Sequence, residues 1–414
     1  MGIPDTAHRS DPHAHRYAQR AAVMARWQIP ELFSLAGKPE VVSLAGGMPD
    51  LTALDLDGLA EEASRLIRDD GLDALQYGSP QGIPALREQI CEISTLERIH
   101  ARADDVVVTA GSQMGLDLIT RTFCDPGDVV IAEAPCYVGA LSTFAFHQAD
   151  VVHVEMDAEG LVPDALRQVL GASAVRGRRP KFLYSVPNFH NPAGVTLAVG
   201  RRAEIMEICA QHDLLVVEDN PYGLLGFDGR TYPALRAIAP DNVIYLSSFS
   251  KILAPGLRVG WVLAPPSIRE RLFRASESAM LCPSGLTQYL VSYYMNQNDW
   301  KGRIECDRET YRIRRDAMLT ALARHLPTGC SWTEPDGGFY VWLTVPEGLD
   351  TETMLPHAID RGVTYVPGTA FHADRTGTRQ LRLAYCRPTP EQITEGVRRL
   401  GTVFPPRRVG PRPR

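Results

Sequence analysis

Residues 247–261 read SSFSKILAPGLRVGW, a single lysine set among hydroxyls and apolar residues directly after the apolar run 243–246. An ammonium walled by apolar groups is partly desolvated. Its pKa falls, and the neutral amine becomes available to attack an aldehyde as a Schiff-base nucleophile. Ser248, Ser250 and Arg258 lie close enough in sequence to hold a phosphate beside Lys251. Lysine is also scarce: of 43 basic residues only Lys38, Lys181, Lys251 and Lys301 are lysines. Arginine serves wherever a surface cation is wanted but forms no imine, so each retained lysine invites a chemical explanation.

Outward from this stretch, apolar runs bounded by turn residues predict seven buried strands at 106–109, 129–132, 151–155, 182–186, 214–218, 243–246 and 259–263. Helical patterns at 113–123, 138–146, 163–170 and 201–211 alternate with them. This βα repetition predicts an α/β fold whose large domain is a mostly parallel seven-stranded sheet covered by helices on both faces, with ligands at the strands' carboxyl ends. After Leu281 the texture changes to a long charged helix over 300–325, a Gly-rich hairpin region at 335–343 and a strand at 380–385, which reads as a smaller α+β domain. The expected division is an N-terminal arm at 1–42 joining the small domain, a large domain at 43–285, a small domain at 286–404 and a disordered Pro/Arg tail at 405–414.

Three further stretches sit where such a sheet would gather its ligands. Asp219 and Tyr222 close the run 214–218, and a pyridine ring wants both groups: a carboxylate to keep its nitrogen protonated as an electron sink, and a phenol to hydrogen-bond its 3-oxygen. Taken alone, a strand-ending Asp in an Asx turn is common. The stretch PNFHNPAG at 187–194 carries Asn191, whose amide can donate to the same oxygen or to a substrate carboxylate. Gly111, Ser112 and Gln113 lead from a strand into a helix, where backbone N–H groups and the helix dipole favour a phosphate.

In this order the four stretches resemble the fold type I pyridoxal-phosphate enzymes, in particular the class I and II aminotransferases of the aminoadipate, kynurenine and aromatic branch, over roughly residues 40–402. The family pattern SxSKxxxPGxRxGW implies Lys251 as the residue joined to pyridoxal 5'-phosphate, and Arg258 as a phosphate ligand. The resemblance implies Asp219, Tyr222, Asn191, Gly111, Ser112, Gln113, Ser248 and Ser250 as further cofactor contacts, with Tyr137 stacked on the ring. Tyr77 falls where a tyrosine reaches the neighbouring subunit's phosphate, implying a homodimer with shared sites. Arg382, with Asn191, matches the group that grips the α-carboxylate of an amino acid or 2-oxo acid, and Gly46 and Gly47 match a turn whose backbone lines the substrate pocket. Family members that accept acidic side chains often carry an arginine in an Ile-Arg-Glu-Leu stretch. Here the stretch is Ile29-Pro30-Glu31-Leu32, with Arg26 one helical turn upstream, and proline cannot grip a carboxylate. Phe33, Tyr137, Phe189 and Leu281 suggest instead an aromatic or bulky aliphatic partner.

Composition narrows the alternatives. The net charge is −6 and no basic stripe is visible, which disfavours nucleic acid as a partner and with it an effector-sensing regulator carrying a DNA-binding module. Other pyridoxal-phosphate reactions (lyase, decarboxylase or oxidative deaminase) need the same cofactor residues and stay open. The longest apolar runs are about eight residues, against roughly 20 for a membrane span, and the first twenty residues hold no signal-type apolar core, so a cytoplasmic chain is expected. Eight cysteines without CxxC spacing and eleven histidines without HExxH spacing lead to no metal assignment and no disulfide framework.

Overall fold

The computed structural model describes residues 11–21, 40–175 and 177–405. Arg26, the stretch Ile29-Pro30-Glu31-Leu32, Phe33 and nearly all of the 405–414 tail lie outside the described residues. In chain order the strands are β1 (Val42–Ser43), β2 (Val106–Thr109), β3 (Val129–Ala134), β4 (Asp150–Asp157), β5 (Gly160–Leu161), β6 (Phe182–Ser185), β7 (Leu215–Asp219), β8 (Val243–Ser248), β9 (Gly260–Leu263), β10 (Ser331–Trp332), β11 (Tyr340–Thr344), β12 (Val363–Thr364), β13 (Val366–Pro367) and β14 (Gln380–Ala384).

The large sheet has the order β2-β9-β8-β7-β6-β3-β4-β5. All seven expected strands are in it. The eighth, β5, is a two-residue return of β4, too short to leave an apolar pattern. Pairing is parallel from β8 through β7, β6 and β3 to β4, while β9 is antiparallel to both β8 and β2. Six strands therefore point the same way, and the loops that leave β2, β3, β6, β7 and β8 all emerge at one edge. That geometry brings together residues more than a hundred positions apart.

Residues of β2, β6, β8 and β9 are buried without alternation, as expected of strands covered on both faces. Successive side chains of β6 show why: Phe182 and Tyr184 pack with Leu116, Leu141, Phe144 and Leu272, while Leu183 packs with Leu166, Leu170, Ile205 and Ile208 on the other side. The first set comes from helices Ser112–Phe123, Val138–Phe146 and Pro266–Met280, the second from Pro163–Val175 and Val199–Gln211. Two helical layers sandwich the sheet.

A second, antiparallel sheet has the order β10-β11-β14-β13. Its residues Val341, Leu343, Leu381 and Leu383 turn into the core. Tyr340, Trp342 and Arg382, alternating with them, share the other face. Helix Trp300–His325, with Asp299 accepting from Gly302 N at its start, packs against helix Pro390–Gly401, which begins with a Thr389/Gln392 capping box. Strand β1 runs parallel to β12, with Val42 N donating to Gly362 O and Leu44 N to Thr364 O, both at 2.9 Å. The segment 40–47 is thereby led between the two sheets. No helix among the described residues is long and apolar enough to cross a membrane.

Candidate active site

At the common edge lies a cavity of about 460 Å³, ordinary for a small-molecule site. Its lining includes Gly47, Ser112, Gln113, Tyr137, Asn191, Asp219, Tyr222, Ser248, Ser250, Lys251, Arg258 and Arg382. Gly111 stands just behind, against the Arg258 guanidinium. Tyr77 is apart from it and 77% exposed.

Lys251 follows the end of β8 by three residues. Its Nζ donates to Gly47 O at 3.1 Å and stands 5.7 Å from the centre of the Phe339 ring. Burial lowers its pKa to about 8; the neighbouring Arg382 and Arg258 push the same way, against Cys386 and Asp219. The amine is thus poised as a nucleophile near neutral pH.

Asp219 ends β7. Its Oδ2 accepts from Tyr184 Oη at 2.7 Å, whereas Oδ1 is buried without a hydrogen-bond partner. Burial raises its pKa to about 6, opposed by the Tyr184 hydrogen bond and by Lys251. An unpartnered buried carboxylate oxygen is costly unless a donor arrives, and a protonated ring nitrogen is such a donor.

The phosphate end is equally suggestive. Gly111, at φ +80°, starts the helix Ser112–Phe123, and no side chain caps its first N–H groups. A Cβ on Gly111 would sit 2.2 Å from Arg258 Nη2, and one on Gly260 would sit 2.6 Å from Ser112 N. Both positions need glycine. Arg258, in the left-handed region at φ +53°, donates to Ala110 O at 3.0 Å and Pro255 O at 3.1 Å and reaches Ser250 Oγ at 3.5 Å. An uncapped helix start, two serines and a guanidinium form an anion cradle. The Gln113 side chain has a separate part: its amide donates to Thr143 Oγ1 at 2.7 Å and accepts from Tyr137 Oη at 3.3 Å, so it clamps the Tyr137 turn while its backbone belongs to the cradle.

Opposite stands Arg382, 4% exposed, donating from Nη1 to Asn191 Oδ1 at 2.8 Å and from Nη2 to Ala45 O at 2.6 Å, with Nε buried and unpartnered. Its guanidinium carbon lies 4.3 Å from the Tyr340 ring centre and 5.0 Å from that of Phe371. With Oδ1 taken by Arg382, the Asn191 amide keeps its two N–H donors for a ligand.

Several contributors escaped the sequence reading. Tyr184 carried a signal, because a buried tyrosine on a central strand needs a partner for its hydroxyl. Tyr340 and Ser142 line the cavity and had no motif. Conversely, Phe189 and Leu281, expected in an apolar wall with Tyr137, are elsewhere. Phe189 is 2% exposed and packs on Tyr232 and the glycines at 226, 337 and 338, while Leu281 is half exposed. Phe189 has φ +48°, and its ring fills the space left by those glycines rather than lining the cavity. Among the described residues, His153, His372 and Asp374 gather as potential metal ligands. His153 is already engaged at Nδ1 by Glu133 O at 3.1 Å and at Nε2 by Ala373 N at 2.9 Å, which leaves no lone pair for an ion.

A desolvated lysine, a buried carboxylate awaiting a cation and an anion cradle on a doubly covered α/β sheet define an enzyme that binds a phosphorylated aldehyde cofactor through an amine. Comparison with known proteins agrees: residues 39–400 match the model of the aminotransferase class I and II family, and the chain belongs to that family. It is a pyridoxal 5'-phosphate-dependent aminotransferase of fold type I. It is 39% identical to aromatic-amino-acid aminotransferase 1 of Thermococcus litoralis, across 93% of each chain. It is 38% identical to 2-aminoadipate transaminase of Thermus thermophilus, over 90% of this chain and 92% of that one. Among solved structures, kynurenine aminotransferase of Pyrococcus horikoshii superposes with a TM-score of 0.89 at 36% identity, covering 94% of this chain and 96% of that one.

Proposed function

We propose that the protein moves the amino group of an L-amino acid with an aromatic or bulky apolar side chain to a 2-oxo acid, using Lys251, Asp219 and Tyr222 as its catalytic groups. The observation that carries the reading is the convergence of Lys251 Nζ, the unpartnered Asp219 Oδ1 and the Arg382–Asn191 pair on one cavity. When bound, pyridoxal phosphate supplies the electron sink for the Cα carbanion and carries the amino group between substrates. Gly111, Ser112, Gln113, Ser248, Ser250 and Arg258 would hold its phosphate end, Tyr137 would lie against its ring, the unpartnered Asp219 Oδ1 would accept from its ring nitrogen, and Tyr222 with Asn191 would serve its ring oxygen. Arg382 orients the α-carboxylate. The Lys251 amine would move the Cα proton, and its lowered pKa keeps the neutral form accessible for that role.

The charged residues lining the cavity are Asp219, Lys251, Arg258 and Arg382. Each has a part in holding the cofactor or the α-carboxylate, so none among the described residues remains to pair with an acidic side chain. The name of the Thermococcus litoralis relative supports aromatic substrates, whereas that of the Thermus thermophilus relative names an amino acid with an acidic side chain. Presenting the pyridoxal-phosphate-loaded protein with single amino acids and following its visible absorbance tests this: aromatic amino acids should convert the cofactor to its amine form at least about tenfold faster than aspartate, as expected when an unpaired carboxylate must be desolvated. Faster conversion by aspartate would overturn the substrate class.

The active form we propose is a homodimer in which Tyr77 reaches the second subunit's phosphate. Leu72, Leu75 and Tyr77 are 93%, 66% and 77% exposed and follow one another at the end of helix Leu56–Ala74, and Gly285, near the half-exposed Leu281, packs on Ala74 O. Such a continuous apolar edge favours burial against a second copy. The proposed domains are an arm at 1–42, a large domain at 43–285, a small domain at 286–404 and a tail at 405–414. Their support is that the large sheet lies within 106–263 and the second within 331–384, with β1 leading the arm to the second. All eight cysteines are unpaired, which supports a cytoplasmic setting, and the charge of −6 supports small molecules over nucleic acid as partners.

A further inference from the structure

Tyr340 is the first residue of β11 and 3% exposed. Its ring carries the Arg382 guanidinium at 4.3 Å, and its hydroxyl meets that of Tyr222 at 3.4 Å, Tyr222 donating. Among the described residues Tyr222 is the one hydrogen-bond partner of that hydroxyl. The same oxygen fills the space a side chain at Gly47 would need, since a Cβ there would lie 1.8 Å from it. Gly47 O in turn accepts from Lys251 Nζ. One aromatic residue therefore touches three parts of the site: the phenol Tyr222, the substrate-facing Arg382, and the backbone that steadies the lysine.

A phenol has one proton and two lone pairs. If Tyr222 commits its proton to the cofactor's ring oxygen, as proposed above, its lone pairs become available to Tyr340. A donated bond into Tyr222 polarises its own O–H and strengthens the bond it gives, because chained hydrogen bonds in a dry site reinforce one another. The ring works separately, as a platform that holds the guanidinium face.

We propose that Tyr340 is a dual positioning residue: its hydroxyl donates to Tyr222 in the loaded enzyme and tunes the phenol that serves the cofactor, and its ring seats Arg382 for the substrate carboxylate. The inference rests on the proposed roles of Tyr222 and Arg382. It separates two functions of one side chain, and two substitutions separate them experimentally. Tyr340→Phe keeps the ring and loses the hydroxyl. Tyr340→Leu loses both.

The experiment titrates the visible absorbance of the pyridoxal-phosphate-loaded protein against pH and measures kcat and KM for an aromatic amino acid, in wild type, Tyr340→Phe, Tyr340→Leu, Tyr222→Phe and the Tyr222→Phe/Tyr340→Phe double variant. Weaker donation to the ring oxygen stabilises its deprotonated form less, so Tyr340→Phe should raise the chromophore's pKa by roughly half a unit, the scale of one net hydrogen bond. Its KM should stay within about twofold. Tyr340→Leu should add a rise in KM of roughly tenfold from the lost cation–π platform. In the Tyr222→Phe background, Tyr340→Phe should shift the chromophore no further.

An unchanged or lowered chromophore pKa in Tyr340→Phe, while Tyr222→Phe raises it, overturns the proposal and leaves the reading of Tyr222 standing. An equal Tyr340→Phe shift with and without Tyr222 overturns it as well. A Tyr222→Phe protein with an unshifted chromophore overturns both. Equal KM in the Phe and Leu variants overturns the platform role.

Discussion

The two walls of the cavity are built from different kinds of backbone. Asp219 ends one of the strands that point the same way, and Ser112, Tyr137, Asn191 and Lys251 follow the ends of others, each set by the few residues around it. Arg382 and Tyr340 stand on the face of an antiparallel sheet, where position depends on the register that pairs Trp342 with Arg382 and Tyr340 with Ala384. The first wall concentrates groups with displaced pKa values, Lys251 and Asp219. The second is a guanidinium held between rings and carbonyls. On the function proposed above, bond-making falls to the large sheet's edge and the grip on the substrate carboxylate to the smaller sheet. Changes on the first wall should act on kcat and on colour; changes at Arg382 on the second should act on KM, the Tyr340 hydroxyl being the one group of that wall expected to act on colour, through Tyr222.

The largest effect is expected from Lys251→Ala. Turnover should fall at least about a thousandfold, since both the nucleophile and the acid–base group are lost. Borohydride treatment followed by mass spectrometry should find no adduct at that position. Turnover within tenfold of wild type would break the division of labour at its root.

Asp219→Asn should lower kcat by roughly a hundredfold or more with KM little changed, because a neutral amide cannot hold a ring cation. The cofactor-free protein gives a second readout of opposite sign. Burial raises the folded-state pKa of Asp219 from 3.8 to about 6, so its stabilising neutral form is fully present below about pH 4 and lost as pH rises through about 6. The loss corresponds to roughly 2–3 kcal/mol at neutral pH. Urea unfolding at pH 8 should therefore find the cofactor-free Asn variant more stable than wild type, and at pH 4 the difference should vanish. A less stable variant at pH 8 would show that the carboxylate is stabilised by something other than the pairing described.

Arg382→Ala sharpens the comparison from the other wall. KM for the amino acid should rise roughly 10- to 100-fold, the worth of hydrogen bonds to a charged group, while the visible spectrum of the loaded protein keeps its position. A lost or shifted spectrum with unchanged KM would reverse the roles of the walls.

The smallest effect is kinetic. Only the neutral amine attacks, and Lys251 has its pKa lowered from 10.5 to about 8. The rate of pyridoxal phosphate attachment to cofactor-free protein should climb about tenfold per pH unit up to about 8 and level off above it. A rate still climbing at pH 10, read by stopped-flow absorbance, would mean that the lysine is not desolvated.

The legibility of the molecule follows the same division. The strand runs and the four turn stretches were visible in sequence because each is a local pattern: an apolar run of strand length, a glycine before a helix, a lysine among serines. The helix 138–146 and the long helix 300–325 were readable to the residue, whereas β5 was not, since two residues carry no period. The place of Phe189 is not legible in its own loop because its ring is received by Gly337 and Gly338, about 150 positions away. Tyr340 was invisible because nothing in its own stretch says which face of the hairpin meets Arg382. The unpartnered Oδ1 of Asp219 and the Gln113 clamp on Tyr137 belong to the same category, as relations between side chains rather than properties of a segment.

By itself the sequence determined the class of the sheet and the family and singled out Lys251, because backbone conformation at strand ends and the chemistry of an imine are written in neighbouring residues. The tertiary structure alone decided which side chains face one another across the cavity and how Tyr340, Tyr222 and Arg382 meet. Those contacts join side chains 40 to 160 positions apart, and their distances depend on strand register and on the angle between two sheets.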